Sequence, residues 1–454
     1  MKKIVLSLAV VMIFAWQGMS IAASSVDALI QKLEDKGILT DQDAVQIKGE
    51  IASNEKASQE TTFKSLLPDW LNNMKLTGDF RLRDQWEDRH DRVSSVSTND
   101  LARNRGRFRA RVNFEDQIND KVKVIVGIAT NGENSAGLGN PRSNNITFGG
   151  NAAGEGSFNK SIVALNKAYA IYTPNGYITL MGGQMDNPIW EPASLLWDPD
   201  ITPVGGVIQL QKKLNDYVTP FSTNAMFVLR DATPSVSATG TKTDPYMFVS
   251  QEGIKGNLTE KVYYKIAGSY YDINNPNHVA LDFRPGGNNN TSPLSATAGL
   301  TTTYSYNYRL IGGDAEIGIN DPLGELLPSP LYVPQVGFFG GIYGNLDPAN
   351  QNLAWMAGVY MGSSAINGFG TWKIQSYYKV LERNSWLDSF PDDDFYSGAT
   401  ATKGWRNELD IGLAKNVWFV MSYFHTNVHK YFGTGAFSAS APEDLFQMDM
   451  NFKF

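Results

Sequence analysis

The chain has 454 residues, with 39 Lys and Arg against 46 Asp and Glu, a net charge of −7 and no cysteine. The acidic balance argues against a general nucleic-acid binder, and the absence of cysteine excludes a disulfide framework, thiolate metal ligands and a cysteine nucleophile. Its 42 glycines, 20 prolines and 12% aromatic residues are the composition of a turn-rich β-protein.

Lys2 and Lys3 precede an apolar run from Ile4 to Ala15, and Ser20 and Ala22 are small residues suited to cleavage after Ala22. Residues 1–22 therefore read as an export signal, and losing them removes two lysines and no acid, which takes the net charge to −9. The run is too short for a membrane anchor, and Gln17, Gly18 and Ser20 follow it.

Residues 23–73 form a separate stretch. Val26, Leu29, Ile30 and Leu33 have helical spacing, Gly37 interrupts it, and the pattern resumes after Thr40 through Val45 and Ile47. The spacing predicts a short helical pair, which is either a periplasmic spacer or trimer-forming coil, or a loosely held tail. Its apolar stripe is too short for sustained heptads.

From Met74 to Phe454 the period is two. The pattern predicts sixteen strands, near 74–84, 103–115, 121–131, 162–173, 177–185, 204–213, 218–230, 245–257, 261–273, 303–319, 333–344, 352–362, 368–382, 403–414, 417–430 and 444–454. Every second connection is short, as at 116–120, 174–176 and 415–416, whereas 132–161 and 274–302 are long and polar. Short turns at one end and long loops at the other are the pattern of an antiparallel transmembrane β-barrel. No later apolar run approaches the roughly 18 to 20 residues of a spanning helix, so any membrane crossing here is made by strands. Two connections are irregular: 321–332 is long where a short turn is expected, and 345–351 is short where a long loop is expected.

The second strand carries "RNRGRFRARV", with Arg103, Arg105, Arg107, Arg109 and Arg111 at every second position. On a helix, steps of two advance about 200° and scatter these side chains. On a strand they share one face, and Phe108, Ala110, Val112 and Phe114 share the other. A solvated sheet, a nucleic-acid platform or a barrel wall could hold such a strand. In a barrel the arginines line the lumen, and Asp79, Arg81 and Arg83 of the first strand share their inward register. Neighbouring rungs are about 6.7 Å apart, which at an effective dielectric of ~20 costs on the order of 2 kcal/mol per adjacent pair before screening. The ladder therefore requires carboxylates or a stream of anions.

The connection between strands five and six offers acids: Asp186, Glu191, Asp198 and Asp200, among Trp190 and Trp197. Facing the ladder across a constriction, they would set up a transverse field that orients polar solutes. Further along, "PDDDF" at 391–395 reads as a solvated acidic loop or, less readily, a divalent-cation site with lipopolysaccharide phosphates. His425 and His429 of "HTNVH" would share a strand face roughly 13 Å apart, too far for one metal ion. Tyr377, Tyr378, Trp405, Trp418, Tyr423 and Phe424 suit interfacial aromatic girdles or a sugar-stacking track.

The last strand alternates Phe446, Met448, Met450, Phe452 and Phe454 with Gln447, Asp449, Asn451 and Lys453. It resembles the C-terminal assembly signal of bacterial outer-membrane barrels, which the barrel-assembly machinery recognises. "GGQMDNPIWEPASLLWDPDITPVGG" at 182–206 resembles a segment of a putative porin family of Gram-negative outer membranes, chiefly through "MDNP" and "LLWDPDITP". Val204 stands before Gly205 where an acidic residue is expected in that family, which leaves the subfamily and its solute open. The resemblance implies an all-β barrel over 74–454, passive diffusion of small solutes and no cofactor. It also implies a third loop folded into the lumen, a homotrimer, and contact with outer-membrane lipid and lipopolysaccharide. Two other functions remain: an outer-membrane barrel enzyme, for which no G-x-S-x-G is present, and a barrel sheathing a partner such as an electron carrier, since the chain has no C-x-x-C-H of its own.

Overall fold

The computed structural model describes residues 74–90, 100–130, 140–150, 161–231, 244–274, 291–292, 303–304, 306–324, 332–429 and 442–454. All belong to one compact unit, Met74–Phe454. The expected export signal and helical stretch lie outside the described residues.

Sixteen long strands follow in order: β1 (Met74–His90), β2 (Asp100–Asn119), β3 (Val122–Thr130), β4 (Val163–Asn175), β5 (Ile178–Gln184), β6 (Val204–Gln211), β7 (Thr219–Val228) and β8 (Tyr246–Asn257). The second half comprises β9 (Val262–Asn274), β10 (Tyr308–Asn320), β11 (Gln335–Asn345), β12 (Leu353–Gly362), β13 (Trp372–Leu381), β14 (Thr402–Ala414), β15 (Val417–Val428) and β16 (Glu443–Lys453). Each pairs antiparallel with its sequence neighbours, and β1 also pairs with β16, so the sheet closes on itself. Closure leaves no unpaired edge, which is what a strand structure in hydrocarbon requires, because an unsatisfied backbone group there costs several kcal/mol. The two irregular connections displace no strand: β10, β11 and β12 pair in sequence order across them.

The short turns share a local cause. Asn119 Oδ1 accepts the N–H groups of Lys121 and Val122, Asn175 those of Tyr177 and Ile178, and Asn215 those of Tyr217 and Val218. Thr259 Oγ1 does the same for Lys261 and Val262. A short polar side chain that mimics the turn's missing carbonyl reverses the chain without a long loop. At the seam, Phe454 exchanges backbone hydrogen bonds of 2.9 and 3.0 Å with Gly78. A Cβ on Gly78 would meet the Phe454 ring at 2.5 Å, so the seam needs glycine there.

Period two sorts the side chains. Leu76, Leu82 and Trp86 of β1, Ile317 of β10 and Phe338 of β11 are exposed on the outer face. Apolar exposure repeated around a barrel exceeds what a soluble monomer carries and suits contact with lipid. Inside, the wall is divided. Inward residues of β7 to β13, among them Phe227, Met247, Tyr271, Tyr308, Tyr343 and Tyr377, form an apolar cluster. Leu195, Leu196 and Trp197 from connection 185–203 pack into it, as do Trp386 and Leu387 from connection 382–401. The wall of β1, β2 and β16 is polar instead, with Arg83, Gln85, Arg107, Gln447 and Asp449 buried.

Candidate functional site

The β1–β2 register sets Asp79 opposite Arg111, Arg81 opposite Arg109, Arg83 opposite Arg107, Gln85 opposite Arg105 and Glu87 opposite Arg103. Two of these rungs oppose arginine to arginine, which is unfavourable on one sheet face. The compensation comes from three other parts of the chain. From β16, Asp449 lies opposite Arg83 and accepts a two-pronged bond, Nε to Oδ1 at 2.7 Å and Nη2 to Oδ2 at 2.8 Å. From connection 382–401, Asp394 accepts from Arg83 Nη1 at 2.9 Å. From connection 185–203, Asp200 lies 3.5 Å from Arg109 Nη1 and 3.3 Å from Arg111 Nη1, while Asp79 binds the same two arginines at 2.9 and 2.7 Å.

The remaining rungs are lighter. Arg81 donates to Asn145 Oδ1 at 2.5 Å and lies 3.6 Å from Asp449. Arg105 pairs with Glu87 at 3.3 Å, Arg107 donates to the neutral Gln85 Oε1 at 3.2 Å, and Arg103 is exposed.

Among the acids expected to face the ladder, Asp200 alone touches it. Asp186 binds Lys167 Nζ at 2.7 Å and accepts from the Tyr169 hydroxyl. Glu191 folds back onto its own loop and accepts the N–H groups of Leu195, Leu196 and Trp197. Burial raises its pKa well above the carboxylate range, with Asp314 adding to the effect. Trp197 is an anchor, packed on Trp386 and Phe390 with ring centroids 5.6 and 5.1 Å away. Asp198 joins the two inward connections: its N–H donates to Phe390 O at 2.7 Å, and its Oδ2 accepts the Asp393 N–H at 2.9 Å.

The stretch "PDDDF" is therefore not a solvated outer loop. Asp392 is buried 3.4 Å from Arg406, Asp393 caps onto Asp198, and Asp394 serves Arg83. Asp198, Asp392 and Asp393 each bring a carboxylate oxygen within 4.8 Å of the others, the spacing of a metal group. Protons, backbone N–H groups and Arg406 answer that charge. Burial and then Asp393 raise the Asp198 pKa, while burial and then Asp394 push Asp393 up to about 7. Burial also pushes Asp394 up, but Arg83 and Arg107 overcome it and hold that carboxyl well below the usual range.

His425 and His429 have separate partners: Asp444 lies 2.7 Å from His425 Nδ1, and Glu382 lies 3.7 Å from His429 Nε2. Sequence reasoning singled out "PDDDF" but not Asp394 as a partner of the ladder, and it missed Asn145 and Arg142. The last of these donates through Nη1 to the carbonyls of Pro391 and Gly398 at 2.9 and 3.1 Å. Nothing in the local sequence marks Asn145 or Arg142, or separates Asp394 from the two acids before it, because loop side chains have no period. Asp449 was legible, since it alternates with the apolar residues of β16 in the inward register.

No curated protein matches the chain by sequence. Among solved structures, the barrel is similar to Pseudomonas putida OprB in a structure determined at high pH, with a TM-score of 0.50 and 8% identity over 84% of this chain and 94% of that one. A loop-deleted OmpT of Vibrio cholerae gives a TM-score of 0.45 and 8% identity, covering 84% of this chain and 100% of that one. A triple mutant of Rhodopseudomonas blastica porin gives 0.38 and 12%, with coverage of 84% and 100%. At such identities the OprB likeness is one of fold. The family model described as "Putative porin" matches residues 84–292 and 339–454, which include the ladder, both inward connections and the closing strand, and the chain belongs to that putative porin family.

Proposed function

We propose that the protein is a passive channel of a bacterial outer membrane, through which small polar or charged solutes diffuse along the wall of β1, β2 and β16. The observation that carries this reading is the division of the interior: one half is sealed by the Trp197 and Trp386 cluster, and the other is lined by paired guanidinium and carboxylate groups. A surface of fixed opposite charges keeps water and ions in the lumen and disfavours apolar solutes. Asp200 on Arg109 and Arg111 draws connection 185–203 against the ladder and narrows the path there. In this reading residues 1–22 are removed on export and 23–73 stand on the periplasmic side. The β16 segment ending at Phe454 is presented to the assembly machinery, and three copies associate among lipid and lipopolysaccharide.

The test is single-channel recording of the full-length protein in planar bilayers under a salt gradient. Ohmic steps with a reversal potential displaced from zero are expected. Folded protein that inserts without conducting would overturn the reading and favour a filled barrel.

A further inference from the structure

Four of the five ladder arginines either carry a carboxylate partner or stand in solvent. Arg107 does neither. It is 7% exposed, and among the described residues its one side-chain hydrogen bond goes to the amide oxygen of Gln85 and its Nε has no partner. Among the described residues no carboxylate lies within ion-pairing distance of it. Asp393 and Asp394 are close enough to feel its charge, yet Asp394 is bonded to Arg83 and neither is bonded to Arg107. A buried guanidinium with unused donors and no directly bonded counter-charge is costly, so such a group marks a place where an anion belongs.

The space is there. Arg107 lines a polar cavity of about 310 Å³ between the β1–β2 wall and residues 393–397, beside Arg103, Arg105 and Arg142. Glu87, Asp393, Asp394 and Glu443 also line it; Glu87 is engaged by Arg105, Asp394 by Arg83 and Glu443 by Arg89, while Asp393 is tied through its N–H to Asp198. Arg142 is buried and holds the roof through carbonyls of the 388–398 segment, so its charge stays beside the cavity.

We propose that this cavity binds the oxyanion group of a small solute, a carboxylate or phosphate, with Arg107 as its principal partner and Arg103 and Arg105 as flanking cations. Planar guanidinium donors match both oxyanions, and charge-assisted bonds in a recess are the strong class. The assignment rests on the channel reading for the route by which the solute arrives.

The test is equilibrium binding of inorganic phosphate, and separately of succinate, to the detergent-solubilised full-length protein, alongside bilayer conductance in potassium chloride. Saturable binding is expected for at least one probe, weakened about tenfold or more in Arg107→Gln by loss of one charge-assisted contact. Arg103→Gln changes an exposed side chain and is expected to weaken binding severalfold without affecting folding, so a misfolded Arg107 variant does not end the test. Equal affinity in wild type and the folded variants would sink the proposal. So would the absence of saturable binding to wild type, and normal chloride conductance in that case would leave the channel reading standing. Competition by purified lipopolysaccharide would assign the site to headgroup phosphate, and indifference to it would assign a free solute.

Discussion

Replacing Asp200 by Asn removes one negative charge from the inward connection and leaves a side chain of the same shape. Asp79 still binds Arg109 and Arg111 at 2.9 and 2.7 Å, so the ladder keeps its geometry and the two guanidinium groups gain net influence over the lumen. For an ion passing about 6 Å from Asp200 in a water-like dielectric of ~80, the lost interaction is about 0.7 kcal/mol, falling to about 0.3 kcal/mol with a Debye length of ~8 Å. Anions gain that amount and cations lose it, so the free-energy gap shifts by about 0.7 to 1.4 kcal/mol, or roughly three- to tenfold in the anion-to-cation permeability ratio. The assay is the reversal potential across a tenfold salt gradient, read at two mean salt concentrations. The shift runs toward anions and grows as salt falls. A reversal potential unchanged at both salts, with native β-sheet content and thermal stability, would refute the idea that Asp200 acts on permeating ions through the field.

Three further outcomes follow from the same geometry. Asp449→Asn strips Arg83 of its two-pronged partner while Asp394 still holds it, so the expected cost is that of a lost charged hydrogen bond, about 1.5 to 3 kcal/mol; urea unfolding followed by gel mobility reads it, and an unchanged midpoint contradicts it. Gly398 sits at φ +68° with Arg142 Nη1 where its Cβ would lie, so Gly398→Ala is expected to loosen the 388–398 segment, seen as faster proteolytic cleavage within 382–401 while the barrel stays intact. Asp393 is raised to about 7 from an unfolded value of about 3.9, and Asp198 is raised too, so the folded loops hold protons that the unfolded chain has released. The loop–loop contact is therefore at full strength below about pH 4 and weakens as pH rises through about 7; hydrogen exchange at 198–201 and 390–395, corrected for intrinsic rates, is expected to quicken from pH 5 to pH 8, less so in Asp393→Asn.

The sixteen strands were legible in the chain because a two-sided wall, lipid outside and water or loops inside, forces alternation that each strand carries in its own residues. The shared strand face of Arg103 to Arg111, opposite Glu87 to Asp79 in the β1–β2 register, follows from the same rule. The short turns were legible too, since an Asn or Thr at the corner closes them locally. The partners of the arginines were less so. Asp200 was one of four candidate acids of its connection, and no local property separates it from Asp198 two residues earlier, which faces Asp392 and Asp393 instead.

Strand order, facing and the existence of the ladder thus reside in the linear pattern, because each depends on neighbours one or two residues away. Three arrangements do not: Asp394 and Asp449 meeting on Arg83, Trp197 packing against Trp386, and Arg107 lining a recess with residues 393 and 394. Each joins residues far apart in the chain, and their meeting depends on how the barrel closes and how two aperiodic connections fill its interior. Charge can be counted along a sequence, but its compensation is a property of three-dimensional distance.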